Sequence, residues 1–164
     1  MRVKVIFVAL LVILIIIQFF RPEKNISAAP RSAADIAAMY PQPEEVRTIL
    51  AKACNDCHSN NTRYPWYNNI QPVAWWLNDH IQEGKHELNF NEIGTYPRRR
   101  QYNKMKEIQE QVKEGEMPLG SYTLIHTNAR LNDHEKTVLI NWAASMQKAM
   151  EAKYPMDSLI RKKK

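Results

Sequence analysis

Apolar positions along the chain form one unbroken run and then four shorter stretches at helical spacing. The run extends from Val5 to Ile17, is lengthened by Phe19 and Phe20 after Gln18, and follows Arg2 and Lys4. A helix over Val3 to Phe20 would measure about 27 Å at 1.5 Å per residue, close to the ~30 Å hydrocarbon core of a bilayer. Basic residues ahead of such a run mark an export signal. No small-residue cleavage site follows directly: Gln18-Phe19-Phe20-Arg21-Pro22 is bulky and charged, and Pro30 disfavours cutting after Ser27-Ala28-Ala29. The expectation is an uncleaved N-terminal transmembrane helix, with cleavage and a soluble exported product as the alternative.

The later stretches predict amphipathic helices. Val46, Ile49, Leu50 and Ala53 share one face after Pro43, in a helix leading into Cys54. Pro72 opens a second, with Val73, Trp76, Leu77, His80 and Ile81 on one face and Gly84 as its stop. Asn103 caps a third, with Met105, Ile108 and Val112 inward and Gly115 closing it. Asn132 and Glu135 form a capping box for the last, whose stripe is Val138, Leu139, Trp142 and Met146. No alternating run of useful length appears, so the fold class is all-α. The chain divides into an anchor over 1–21, a linker with a possible short helix over 22–43, a domain over 44–150 and a basic tail over 151–164.

Charge narrows the partners. The formal +6 comes from the chain ends: without Arg2, Lys4 and Arg161 to Lys164 the domain is balanced. No basic face offers itself to nucleic acid. Arg161 to Lys164 read as a disordered, solvated end able to touch anionic lipid. The Arg98-Arg99-Arg100 triplet reads as solvated loop, with one guanidinium a candidate for a carboxylate partner.

The chemistry concentrates at Cys54-Asn55-Asp56-Cys57-His58. Cys-x-x-Cys-His is the pattern of covalent c-type haem attachment, in which two thiols bind one porphyrin and the adjacent histidine becomes an axial iron ligand. The same two cysteines also suit thiol redox chemistry, or half a zinc site completed by His80 or His86. They are the only two in the chain, so a structural disulfide would consume the motif. The export signal favours haem, because such motifs are loaded outside the bacterial cytoplasm.

Met117 is the candidate for the second axial position. It follows the expected stop at Gly115, and Pro118 biases it away from helical geometry. His/Met ligation raises the reduction potential relative to other pairs. His80 is the main rival and His126 a weaker one. Tyr64, Trp66, Tyr67, Trp75 and Trp76 crowd after the motif, and Tyr64, Trp66 and Trp76 are candidates to cover the porphyrin. Trp142 reads as helix-crossing core.

These motifs occur in an order that resembles small class I cytochromes c and, more closely, the bacterial haem-binding domain family. The resemblance rests on Cys54 to Thr62, Tyr64 to Tyr67, Pro72 to Trp76, His80 with Glu83-Gly84, Asn89-Phe90, Met117-Pro118, and Leu131 through Trp142. It implies one haem c held through Cys54 and Cys57, with His58 and Met117 on the iron, in a cytochrome c-like helical domain. The functional expectation is an electron carrier between redox proteins, anchored in the bacterial cytoplasmic membrane with its haem domain on the periplasmic side. No catalytic residue is expected. The alternative is a haem peroxidase or a gas or redox sensor, with a labile distal ligand and His80 or His126 as distal base.

Overall fold

The computed structural model describes residues 2–161, so the expected lipid contact of Lys162 to Lys164 lies outside the described residues. Among the described residues the fold is all-helical, with a single isolated antiparallel bridge between Ile26 and Asn61 and no strand. The helices are α1 (Arg2–Ile17), α2 (Ile36–Met39), α3 (Glu44–Ala53), α4 (Asn55–His58), α5 (Val73–Glu87), α6 (Arg98–Glu114), α7 (Gly120–Ile125), α8 (Asp133–Lys153) and α9 (Met156–Leu159).

The expected helix over Val3 to Phe20 ends at Ile17, and none of the described helices is long and apolar enough to cross a membrane. Sixteen residues reach about 24 Å, short of a bilayer core. The polar Gln18 ends the helix because its side chain is engaged elsewhere. Its Nε2 donates to Leu14 O and Gln71 O, and its Oε1 accepts from the Gln71 amide at 2.9 Å. Gln71 Nε2 and Trp75 Nε1 both donate to the Phe20 carbonyl, at 2.7 and 2.8 Å. The segment after α1 is thereby fastened to the loop that opens α5, while α1 itself buries no residue.

Residues 22–43, expected as a linker, pack against the domain. Asn25 donates to Ser59 O and Thr62 Oγ1, and its amide bonds Tyr64 Oη at 2.6 Å. Asp35 caps α2, the short helix, through the Ala37 amide, and Ile36 is 3 % exposed in the main core. Within the stretch 151–164, Leu159 is fully buried and α9 lies on α6.

The main core joins α3, α6 and α8 through Val46, Ile49, Leu50, Met105, Val112, Leu139, Ala143 and Met146. α6 and α8 form the most extensive helix pair, and α3 crosses α8. Trp142 is buried there and donates to Pro41 O. The capping box of α8 forms with both Asn132 and Glu135 engaged. α6 starts at Arg98 after Pro97, five residues before the expected Asn103 cap. The arginine triplet is thus helical: Arg98 and Arg100 lie over the Tyr154 and Tyr96 rings, and Arg99 reaches Asp157 O. These partners hold all three away from the cavity described next.

Candidate haem site

α3 delivers Cys54 and the single turn of α4 presents Cys57 and His58, because the Cys57 and His58 amides both bond back to Cys54 O. α5 packs across this turn more closely than a side chain would allow. A Cβ at Gly84 would lie 2.9 Å from Cys57 O and 3.1 Å from Cys57 Cβ. Gly84 is therefore no helix stop; α5 continues to Glu87, and the glycine permits the close approach.

The three motif residues line a cavity of about 440 Å³ with a mostly apolar wall, within the usual range of ligand sites. Leu50, Ile108, Val112 and Leu139 supply apolar surface, while Glu83, Glu87, Lys104 and Glu107 stand on the polar side. Met117 joins the same cavity. Gly115, at φ 78°, turns the chain out of α6 in the left-handed region, and the Glu116 and Met117 amides then both bond Gln111 O. Helix end and methionine position are one device.

The His58 ring is held in one orientation. Its Nδ1 lies 2.9 Å from Leu88 O, a contact that requires the proton on Nδ1 and leaves Nε2 as the free lone pair. Burial pushes its pKa below the ordinary histidine value, which keeps the ring neutral. The thiols move the other way. Burial, reinforced by the neighbouring Cys57, raises Cys54 to about 12, and burial, reinforced by Asp56, raises Cys57 to about 11. Thiol oxidoreductases depend on depressed thiol values, so this environment disfavours thiolate exchange chemistry. A zinc site lacks its remaining ligands: among the described residues no three His, Cys, Asp or Glu side chains group closely enough to hold a metal ion. Two thiols, an imidazole and a thioether around an apolar cavity fit haem.

His80 also lines this cavity, its Nδ1 bonded to Trp76 O at 2.8 Å. His126 does not; its Nε2 meets Tyr67 Oη instead. None of the three aromatic candidates lines it. Trp66 is 75 % exposed and Trp76 stacks beside His80 with 41 % exposed. Tyr64 is turned to the Asn25 amide and the small cluster of Tyr67, Leu77 and Ile81. Of the rings in the Tyr-Pro-Trp-Tyr segment only Tyr67 is buried, in that cluster beside Cys57.

Asp56 and Tyr122 escaped the sequence reading. Asp56, 8 % exposed, accepts from Tyr122 Oη at 2.8 Å and from Arg63 Nε at 3.1 Å, while its carbonyl accepts from Thr62 Oγ1. Tyr122 lines the cavity, and burial together with Asp56 raises its pKa strongly. Neither had a signal: a variable motif position and a lone tyrosine are both commonplace. A larger groove of about 740 Å³ lies behind the motif, between residues 27–37 and α3. It is open and polar, and neither cysteine nor His58 reaches it.

Residues 12–145 match the model of the haem-binding domain. The chain belongs to the haem-binding domain family. It is a haem protein, and the matched range takes in the segment fastened after α1, residues 22–43, the motif and most of α8. No curated protein matches the chain, and no solved structure does.

Proposed function

We propose that this haem protein is a monohaem c-type cytochrome of the cytochrome c-like class, carrying single electrons between exported or membrane-bound redox proteins. The observation that carries the reading is that the Cys54–His58 motif and Met117, from two segments far apart in the chain, line one cavity. Cys54 and Cys57 would hold the haem covalently, through thioether links to its two vinyl groups. His58 presents Nε2, held in that tautomer by Leu88 O. Met117 would offer its thioether to the haem iron from the same cavity. When bound, the haem iron supplies reversible one-electron chemistry. The apolar wall keeps water from the site and favours the ferrous state, whose net charge is lower. Export, and association with the bacterial cytoplasmic membrane through the exposed apolar α1, place the domain on the periplasmic side in this reading.

A second reading, a peroxidase or a gas or redox sensor, draws on one observation: His80 shares the cavity with Met117. Ferric spectra separate the two, since fixed methionine ligation gives low-spin iron and an open position gives high-spin iron.

Covalent attachment is tested on protein from cells that mature cytochromes c. Haem should stay with the polypeptide through acid–organic extraction and a denaturing gel, and Cys54→Ala with Cys57→Ala should abolish the stain. Haem that extracts freely from the wild-type chain would refute the c-type assignment.

A further inference from the structure

Four ring-bearing side chains run in contact from the cavity to the surface. Tyr122 lines the cavity and stacks on His126, with centroids 4.4 Å apart and planes at 17°. His126 meets the Tyr67 ring at 6.0 Å, and Tyr67 meets Trp66 edge-on at 5.9 Å. Trp66 ends the series 75 % exposed. Both phenols carry a proton acceptor. Tyr122 Oη donates to Asp56 Oδ2 at 2.8 Å. Tyr67 Oη lies 2.6 Å from His126 Nε2 and donates to it when the imidazole proton is on Nδ1. A phenol gives up an electron readily only when its proton has a base to move to, because the oxidised phenol is a very strong acid. Ring contact and a base on each phenol are the two requirements of a tyrosine relay.

We propose that Tyr122, His126, Tyr67 and Trp66 form a one-electron relay that returns electrons from the protein surface to a peroxide-oxidised haem, with Trp66 as the surface site where a small reductant such as a phenol is oxidised. It rests on the haem occupying the cavity described above. Hydrogen peroxide is the oxidant: it takes up two electrons and two protons, its O–O bond breaks, and two waters leave. In each pass Tyr122 gives one electron towards the cavity while its phenolic proton shifts to Asp56. Tyr67 then reduces Tyr122, which regains that proton, and the Tyr67 proton moves to His126. Trp66 reduces Tyr67, which recovers its proton from His126, and the indole N–H proton leaves to solvent. One electron and one proton are thus drawn from Trp66 per pass, and two passes balance one peroxide. The reductant refills Trp66; without it, dioxygen adds to the indole radical and leaves a mass tag. Met117 ligation keeps peroxide from the iron, so the relay engages when that ligand is displaced.

The test uses the haem-loaded protein, its loading fixed by a pyridine haemochrome spectrum, and its Met117→Ala variant. Each receives near-stoichiometric hydrogen peroxide without reductant, followed by freeze-quench electron paramagnetic resonance and peptide mass spectrometry. The expected result is a protein-centred radical and oxygen addition at Trp66, several-fold above that at Trp75 and Trp76, and greater in Met117→Ala. Those two indoles are 37 % and 41 % exposed against 75 % for Trp66, and Trp76 lies against the cavity-lining His80, so the mark is assigned to the relay by its loss in the phenylalanine variants, which leave solvent attack unchanged. Tyr122→Phe keeps the ring and removes the hydroxyl; it should suppress Trp66 oxidation several-fold and speed haem bleaching. Should that variant fail to fold, Tyr67→Phe breaks the relay one step further out without touching Asp56. Equal marking of the three indoles, Trp66 oxidation unchanged in the phenylalanine variants, or no radical in loaded Met117→Ala would overturn the relay alone. A preparation that carries no haem would overturn the seat of the haem and the relay with it.

Discussion

At the scale of single residues, the candidate site is built by a few side chains that the chain holds in place for identifiable reasons. Met117 lines the cavity because Gly115 turns the chain and two amides share Gln111 O. Met117→Ala should therefore lower the reduction potential and convert the ferric spectrum towards high spin, since a thioether favours ferrous iron more than water does. Low-spin ligation that survives in Met117→Ala and disappears in His80→Ala would move the axial site to His80. Gly84 makes a different prediction. Its missing Cβ leaves room for the Cys57 backbone, so Gly84→Ala should overpack α5 against α4 and cost about 1–3 kcal/mol. The denaturation midpoint of the haem-loaded protein reads that cost, and an unchanged midpoint would mean the two helices can part freely. The sequence made Gly84 visible but gave it the wrong task. A glycine near the end of an apolar stripe resembles a stop, and only the packing of another segment reveals a close approach.

At the scale of elements, the strongly patterned helices were legible and their edges were not. α3 and α8 follow from their apolar spacing, and the box at Asn132 and Glu135 forms as a capping sequence should. α6 begins early because Pro97 is itself a favourable entry and the arginines find aromatic partners that no local rule anticipates. The same box couples α8 to the motif helix. Lys52 on α3 donates to Glu135 at 2.5 Å, with the two side chains 24 % and 18 % exposed. Burial alone would raise the Glu135 carboxyl, but the bonds from Lys52 and the Asn132 amide outweigh it and hold it below the usual carboxylate range. A depressed carboxyl stabilises the fold above its unfolded value, about 4.3, and that contribution is lost as pH falls through the lower folded value. Lys52→Met should therefore cost up to about 1 kcal/mol at neutral pH and progressively less in acid. Urea titrations at both pH values check it, and a cost that grows in acid would contradict the pairing.

At the scale of the whole molecule, the division into anchor, linker and domain was the least legible part. Residues 22–43 are rich in proline and alanine, which reads locally as a linker. Their partners lie far along the chain: Asn25 on Ser59 and Thr62, Asp35 on Asn91, and Ile36 on Phe90. Contacts of such sequence separation leave no periodic trace. They also surround the haem motif from behind, so the segment should support the site as well as the fold. Three haem-loaded proteins separate the contributions, each exported behind a cleavable leader: the full chain, a chain beginning at Arg21, and one beginning at Glu44. Loss of residues before Arg21 removes the Gln18 hydrogen bonds and the Phe20 carbonyl that accepts from Gln71 and Trp75, each worth about 1 kcal/mol net. Loss of residues 21–43 uncovers the pocket of Ile36, about 1.5–3 kcal/mol by itself, together with the Asn25 and Asp35 bonds. Urea midpoints should fall in that order, with the larger step on removing residues 21–43, and the shortest chain should lose haem spectral intensity first. Equal midpoints for the chains beginning at Arg21 and Glu44 would show that the segment rides on the domain without holding it.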